Sequence, residues 1–270
     1  MSLPPPSSET AAVVTGASSG IGTEIARELA RRGHQVVLVA RSAGKLDQLA
    51  AELTASGARA YPLVADLEDR AARARLLDDV SALGLTPDVL VNNAGFSTLG
   101  AVAASDPQGE ISMLELDVVA VADLCSRFLP GMVSRGRGAV LNVASTAAFQ
   151  PLPGQAGYGA SKAFVLSYTQ SLAGELRGTG VTATVLCPGP VETGFGERAG
   201  FTKDEEHVLP KILWESAAAV AKAGVDAMAH GRMVAIPGVA NRAAAALAQV
   251  APRSLLVPLL ARQHPGLKRP

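Results

Sequence analysis

The sequence is poor in aromatic and charged residues. Aromatic residues make up 4% of the 270 residues and charged residues 18%, so a core must be built mainly from alanine, valine, leucine and isoleucine. The 24 basic and 24 acidic side chains give a formal net charge of zero, which provides no basic footprint for nucleic acid. The hydrophobic fraction of 48% is that of a globular chain and not of a disordered one.

Cysteines and long apolar runs are also scarce. The two cysteines, Cys125 and Cys187, form no CxxC pair, and the four histidines have no HExxH spacing, so we predict neither a disulfide framework nor a metal site. No apolar run approaches the roughly 18 residues that a membrane-spanning helix needs. Residues 1–9 have neither the basic nor the apolar region of a signal peptide. We expect a disordered lead-in there and a cytoplasmic protein.

Short aliphatic runs alternate with segments of helical periodicity. The runs cover 11–16, 34–40, 59–65, 87–93, 138–144, 181–189 and 232–238, and longer helical stretches are predicted over about 105–134, 158–177 and 215–230. Strands separated by helices imply right-handed crossovers and a parallel sheet, and apolar runs without alternation imply burial on both faces. The pattern predicts one α/β domain over 10–238, a doubly wound parallel sheet of about seven strands with helices on both faces.

A glycine-rich turn, TGASSGIG at 15–22, follows the first run. Ligands of such sheets bind beyond the carboxyl ends of the strands. There, backbone amides at a helix N-terminus can approach a pyrophosphate. The candidate contacts are Gly16, Ser18, Ser19, Gly20, Ile21 and Gly22. Taken alone, the segment is also compatible with an ordinary tight turn.

The residues after the second run indicate which dinucleotide binds. NAD-binding folds usually carry an acidic residue here, whereas this chain has Ala40 followed by Arg41. A guanidinium binds a 2′-phosphate through a bidentate fork, which a carboxylate would repel. The pair therefore predicts NADP(H), and the alternative is a solvated surface arginine.

Two further strand ends supply candidate cofactor contacts. Asp66 and Leu67 follow the third run, where a side-chain acceptor can meet the adenine amino group, although Asp66 is equally suited to be the N-cap of the next helix. Asn93, Ala94 and Gly95 follow the fourth run, and such small residues let a ribose lie against the strand end.

The chemistry is predicted in residues 145–162. Tyr158 and Lys162 are four residues apart, which puts both on one helix face. A phenol has a pKa of about 10, and a neighbouring ammonium lowers that pKa, so the tyrosine can exchange a proton with a carbonyl oxygen near neutral pH. Ser145 offers a hydroxyl to the same oxygen. Taken singly, each residue also fits a purely structural role.

Together these residues resemble the short-chain dehydrogenase/reductase family, in its single-domain branch. TGASSGIG, NNAG at 92–95, Ser145, YGASK at 158–162 and CPGPVET at 187–193 follow the family's order and spacing, over roughly residues 10–238. The resemblance implies a Rossmann-type fold, a homodimer or homotetramer, and hydride transfer between a nicotinamide and a carbonyl or secondary alcohol.

The resemblance also implies roles for individual residues. Tyr158 would act as acid/base, Ser145 would position the substrate oxygen, and Lys162 would lower the tyrosine pKa and bind the nicotinamide ribose. Further contacts on the nicotinamide side would come from Pro188, Gly189, Val191 and Thr193.

The chain departs from the family at Asp117, where an asparagine usually completes a proton relay with the lysine. A carboxylate there would either pair with Lys162 or have a pKa raised by burial. Asp117 is thus a candidate catalytic residue, with a purely structural role as the alternative.

Apolar side chains are expected to line the substrate pocket. They are Phe96, Leu99, Phe149, Leu152, Pro190 and Val191, and the resemblance adds a lid over about 194–215. This lining favours a lipophilic ketone, aldehyde or secondary alcohol.

Other functions stay open. One is a 3-oxoacyl thioester reductase of lipid or polyketide synthesis, although Arg135 and Arg137 alone would have to form the patch for an acidic carrier protein. Another is a catalytically silent NADP(H)-binding regulator, against which the joint presence of Ser145, Tyr158 and Lys162 argues. The glycine spacing disfavours a sugar-nucleotide epimerase.

Residues 239–270 form a basic, apolar C-terminal tail. No acidic residue follows Asp226, and the positive charges beyond it are Arg232, Arg242, Arg253, Arg262, Lys268 and Arg269. A short helix is predicted over 239–250, and Pro252 and Pro258 are predicted to interrupt the tail. We expect the tail to pack against its own domain or an acidic partner subunit. Peripheral contact with an anionic membrane is the less favoured alternative.

Overall fold

A seven-stranded parallel sheet organises the computed structural model, which describes residues 3–202, 205 and 209–267. The strands are β1 (Thr10–Thr15), β2 (Gln35–Ala40), β3 (Ala60–Val64), β4 (Thr86–Asn92), β5 (Gly138–Val143), β6 (Val181–Leu186) and β7 (Val234–Ala235). Their order is β3-β2-β1-β4-β5-β6-β7, and every neighbouring pair is parallel. The predicted doubly wound α/β fold is confirmed. The strand order reverses between β1 and β4, which is where such sheets bind ligands.

The helices lie between and after these strands. They are α1 (Gly20–Arg31), α2 (Ala43–Ala55), α3 (Arg70–Ala82), α4 (Pro107–Leu114), α5 (Ala120–Ser134), α6 (Ala156–Glu175), α7 (Phe195–Ala199), α8 (Ala217–Ala229), α9 (Val239–Val250) and α10 (Arg253–Gln263). A π-helical segment, Glu115–Val119, joins α4 to α5. The predicted long helix over 105–134 therefore contains a local widening of the kind often found at functional sites.

The core has two layers, one on each face of the sheet. Val14 and Leu38 pack with α1 and α2 on one face, while Val13 and Leu90 pack with α3 and α5 on the other. Successive strand residues point to opposite faces, and both faces are covered by helices. This explains why the strands are apolar throughout.

Asp66 does not cap α3. The N-cap is Asp69, whose carboxylate accepts hydrogen bonds from the backbone N–H groups of Ala71 and Ala72. Asp66 Oδ1 instead accepts from Glu68 N at 3.0 Å. The N-cap alternative for Asp66 is therefore wrong, because the helix begins three residues later.

The disordered lead-in is predicted over residues 1–9, of which residues 1–2 lie outside the described residues. Residues 3–9 form no helix or strand, but Pro4 is buried and Leu3 packs against the core. Gln35 Nε2 donates to the carbonyl oxygen of Ser7 at 3.1 Å.

The tail lies against the domain as two helices. Asn241, Ala245 and Ala248 form the buried face of α9. Pro258 lies inside α10, so the predicted interruption at Pro258 is wrong. The missing N–H removes the hydrogen bond to the carbonyl of Ser254, which is an exposed residue. Among the residues described, no helix combines the length and apolarity needed to cross a membrane.

Candidate active site

The glycine turn after β1 forms an open cradle at the start of α1. Ser19 precedes α1 without capping it through its side chain, so the first amides of the helix stay available to an anion. Gly16 has φ +65°, and a Cβ there would lie 2.8 Å from Ala94 Cα. A Cβ on Gly22 would collide with the Gly16 carbonyl oxygen. The turn therefore requires glycine at both positions.

Thr15 and Asn93 hold this turn against the end of β4. Asn93 Nδ2 donates to the Thr15 carbonyl oxygen at 3.0 Å, and Thr15 Oγ1 accepts from Asn93 N at 2.9 Å and from Ala94 N at 3.1 Å. The same hydroxyl donates to Val91 O at 3.0 Å. Sequence reasoning found Asn93 but missed Thr15, which is buried at the strand end.

The end of the site nearest α2 carries positive side chains, and carboxylates neutralise part of that charge. Arg41 is exposed, and its Nη1 lies 2.9 Å from Glu68 Oε1 and 3.9 Å from Asp66 Oδ2. Lys45, in the first turn of α2, lines the same end. A phosphate that binds here would have to displace the Glu68 carboxylate from the Arg41 guanidinium. Lys45 was missed because nothing in the local pattern distinguishes it from a solvated lysine.

Ser145, Tyr158 and Lys162 lie together behind the cradle. Ser145 follows β5, and its Oγ accepts from Ala147 N at 3.1 Å, while its side chain also forms a hydrogen bond with Tyr158. Lys162 Nζ is 5.4 Å from the centre of the Tyr158 ring. The ring packs against Phe195, with centroids 5.7 Å apart. The structure thus brings together the three residues predicted to carry the chemistry.

Asp117 completes this cluster as a buried partner of Lys162. Its Oδ2 is 2.8 Å from Lys162 Nζ, and its Oδ1 accepts from Phe96 N at 3.1 Å. The carboxylate is fully buried in the π-helical segment. A Cβ on Gly95 would lie 2.7 Å from Oδ1, so a glycine is needed for this approach.

Burial and mutual charge set the pKa values of the cluster. Burial raises the pKa of Asp117 despite the attraction of Lys162. Burial opposes the charged form of Lys162, but the charges of Asp117 and Tyr158 outweigh it and raise the lysine pKa. Burial also raises the pKa of Tyr158, more than the Lys162 ammonium lowers it. In the protein alone, the tyrosine pKa therefore lies above its ordinary value, contrary to expectation.

One cavity of about 1080 Å³ runs from the glycine turn past Tyr158 to the tail. Nearly all the predicted cofactor residues line it: Gly16, Ser18, Ser19, Gly20, Ile21, Arg41, Asp66, Leu67, Asn93, Ala94, Gly95, Tyr158, Lys162, Pro188, Gly189, Val191 and Thr193. Gly22 and Asp117 do not line the cavity. Gly22 packs against the Gly16 carbonyl group and Asp117 binds Lys162, so both support residues that form the cavity wall.

The substrate half of the cavity agrees in part with the prediction. Phe96, Leu152, Pro190 and Val191 line it. Phe149 instead packs in a core cluster with Val165 and Ala245, and Leu99 packs against Gly266. These two assignments are wrong because the tail covers both side chains. Of the lid predicted over 194–215, residues 203–204 and 206–208 lie outside the described residues.

Sequence reasoning missed the tail as a wall of the cavity. The wall residues that it contributes are Asn241, Ala244, Ala245, Ala248, Leu260, Gln263, His264 and Pro265. None of these residues belongs to a motif, and an apolar helical pattern was the only feature of the sequence that could have indicated their role.

A hydrogen-bonded chain anchors this wall. His264 Nε2 lies 3.2 Å from Gln155 Oε1, and Gln155 Nε2 donates to Ser97 Oγ at 2.6 Å. His264 Nδ1 accepts from Gly266 N at 3.2 Å, so Nε2 carries the ring proton and donates to Gln155. Gly154 has φ +89°, and a Cβ there would collide with the His264 ring. The tail is therefore fitted closely to the segment before α6.

Known proteins are similar to this chain in sequence and in fold. The family model of short chain dehydrogenases matches residues 10–203. A short chain dehydrogenase of Pseudocercospora fijiensis is 38% identical over 187 residues, 68% of this chain and 60% of that protein. The chain thus spans less than two thirds of the length of that relative. A putative ketoacyl reductase of the granaticin polyketide synthase of Streptomyces violaceoruber is 39% identical over 190 residues, 69% of this chain and 70% of that protein.

A solved structure extends the likeness to three dimensions. A short-chain dehydrogenase from Sphingobium yanoikuyae in complex with NADPH superposes with a TM-score of 0.79 at 32% identity, over 92% of this chain and 95% of that one. The family model alone covers most of the strands and the Ser145–Tyr158–Lys162 cluster. The chain belongs to the short-chain dehydrogenase/reductase family.

Proposed function

We propose that this protein is an NADP(H)-dependent oxidoreductase that transfers a hydride between nicotinamide and a lipophilic carbonyl compound or secondary alcohol, with Tyr158 as acid/base. The observation that carries the proposal is that Ser145, Tyr158 and Lys162 line the same cavity as the glycine turn. The NADPH in the Sphingobium structure supports the choice of cofactor.

The residues present fit a dinucleotide phosphate. The open amides of α1 suit the pyrophosphate, and the missing side chain of Gly16 leaves room for its approach. Arg41 and Lys45 supply positive charge at the far end of the cavity, as a 2′-phosphate requires. When bound, the cofactor supplies the hydride acceptor or donor.

Proton transfer falls to the protein. In the direction of carbonyl reduction, the Ser145 hydroxyl donates a hydrogen bond to the substrate oxygen, and Tyr158 transfers its phenolic proton to that oxygen. Lys162 then stabilises the resulting phenolate. Because burial raises the pKa of Tyr158, the phenol is protonated at neutral pH, which suits it to act as the acid.

The walls of the substrate half favour a lipophilic substrate. Phe96, Leu152, Phe195, Trp214 and Leu260 line it, and apolar contact with such side chains stabilises an apolar ligand by removing its surface from water. The cavity volume of about 1080 Å³, shared with the cofactor, leaves space for a bulky molecule.

The test is a direct assay. NADPH and NADH oxidation by the purified protein would be measured against lipophilic ketones and aldehydes, with Tyr158→Phe as the control. We expect turnover with NADPH that the variant lacks. NADPH binding without turnover of any carbonyl compound, in the protein as in the variant, would contradict the proposal and favour the silent NADP(H)-binding regulator.

The name of the Streptomyces relative favours a second candidate, a 3-oxoacyl thioester reductase. The catalytic residues would be the same. However, Arg135 and Arg137 both pair with Asp88, at 3.4 and 2.6 Å, so they are poorly placed to bind an acidic carrier. A 3-oxoacyl thioester in the same assay separates the two candidates by kcat/KM. A homodimer or homotetramer in the cytoplasm belongs to this proposal, supported by family membership.

A further inference from the structure

Both tail helices carry apolar side chains that are exposed to water. On α9, Val239, Leu247 and Val250 are 73%, 68% and 78% exposed. On α10, Leu255 and Leu259 are 72% and 52% exposed and lie four residues apart, on one side of the helix. Exposed apolar patches mark contact surfaces.

The segment beside the cavity mouth also carries an exposed aliphatic side chain. Asn241 Nδ2 donates to Leu213 O at 3.0 Å, which ties α9 to the short helix Lys211–Leu213. Ile212 in that helix is 75% exposed. We call the surface formed by Ile212, Val239, Leu247, Val250, Leu255 and Leu259 the tail face.

The charged side chains that the tail itself contributes have one sign, although Glu215, in the segment before α8, lies against Gly238 at the start of α9. Between residue 227 and residue 267 there are four arginines and no acidic residue. Arg242 and Arg262 are exposed, and within the described part of the chain neither forms an ion pair. A two-fold contact between copies would set these arginines against each other. An anionic surface is the complementary partner.

We propose that the tail face docks on a bilayer surface that contains anionic phospholipid. Its aliphatic side chains would enter the headgroup boundary, and Arg242 and Arg262 would contact lipid phosphates. The packing of the tail on its own domain is compatible with this contact, because each helix uses a different face for it.

The position of the tail face suggests what docking achieves. Leu213, Ala244 and Leu260 line the substrate half of the cavity, and each is close in sequence to a tail-face residue. A lipophilic substrate dissolved in the bilayer would reach the cavity without crossing water. This consequence rests on the proposed function, whereas the docking itself does not.

The test is co-sedimentation of the full chain with vesicles. We expect binding to vesicles of phosphatidylcholine and phosphatidylglycerol in equal parts, weakened by salt, and little binding to phosphatidylcholine alone. Leu255→Glu with Leu259→Glu should abolish it. Each of Arg242→Gln and Arg262→Gln should weaken it about fivefold. None of these four residues lines the cavity, so NADPH binding and the melting temperature should be unchanged.

Matched controls lie on another part of the surface. Leu83→Glu and Arg75→Gln change exposed residues at α3 and should leave vesicle binding as it is. Absence of binding to anionic vesicles, or equal binding by the Leu255→Glu/Leu259→Glu variant, would overturn the proposal. A dimer in solution that this variant dissociates, without vesicle binding, would also overturn it and assign the tail face to a second copy. Vesicle binding needs no turnover, so its outcome is independent of the proposed activity.

Discussion

At the scale of single residues, the phenol oxygen of Tyr158 is the atom on which the proposed chemistry depends. Tyr158→Phe removes only that oxygen and keeps the contact with Phe195. We expect turnover to fall by about 10²–10⁴-fold, while NADPH binding, measured by fluorescence titration, stays the same. If the variant keeps more than a few per cent of the activity, Tyr158 is not the acid/base.

Arg41 determines the choice of cofactor in the proposed function. Arg41→Ala should remove charge-assisted hydrogen bonds worth about 1.5–3 kcal/mol with a 2′-phosphate, so NADPH should bind at least tenfold more weakly and NADH about as before. Glu68 competes for the guanidinium at 2.9 Å. Glu68→Gln, the companion variant, should therefore tighten NADPH binding. A wild-type preference for NADH would refute this role of Arg41.

If the charge of Asp117 matters for catalysis, it acts by shifting the pKa values of Tyr158 and Lys162. Its carboxylate raises the pKa of both Tyr158 and Lys162, so Asp117→Asn should lower both. Alcohol oxidation needs the phenolate, and its pH–rate profile should move to lower pH in the variant. A profile that keeps its midpoint while kcat drops would indicate a structural role instead.

These residues show where sequence reasoning reaches its limit. The proximity of Tyr158 and Lys162 could be predicted from local sequence, because residues four apart on one helix lie on the same face. The net pKa of Tyr158 is not local, because it depends on burial by elements far apart in the chain. Asp66 failed as an N-cap because the exact start of a helix is weakly encoded.

At the scale of elements, the order of strands and helices followed from hydrophobic periodicity. The seven apolar runs correspond to seven strands, but β7 contains only two residues, Val234 and Ala235. The π-helical segment around Asp117 has no sequence signature of its own. Leu99 and Phe149 were misassigned for a related reason, since the tail that covers them carries no motif.

The anchor of the tail gives a prediction at this scale. His264→Ala removes the bond to Gln155 and the acceptor for Gly266 N. Because the wall then loosens, KM for a lipophilic carbonyl compound should rise several-fold, with little change in kcat or in the NADPH dissociation constant. His264→Gln keeps an N–H donor and should restore part of the loss. An equal rise in KM and in the NADPH dissociation constant would contradict this role.

At the scale of the whole molecule, the tail contributes to both stability and the cavity. A variant that ends at Gly238 would expose the apolar residues now covered by α9 and α10, including Phe149. Each kcal/mol lost lowers the melting temperature of a domain of this size by about 2–4 °C. We expect a lower melting temperature by calorimetry and a large loss of kcat/KM, with NADPH still bound. An unchanged kcat/KM would show that the tail is no part of the substrate site.

Different parts of the chain form the two halves of the cavity, so the two halves can change independently in evolution. The residues that we propose to hold the cofactor and to move the proton end at Thr193, while much of the opposite wall comes from α7 and residues 239–267. Recombination after Gly238 would therefore exchange a substantial part of the substrate wall and leave the reaction intact. Chimeras joined at this point should inherit their catalytic step from one parent and much of their selectivity from the other.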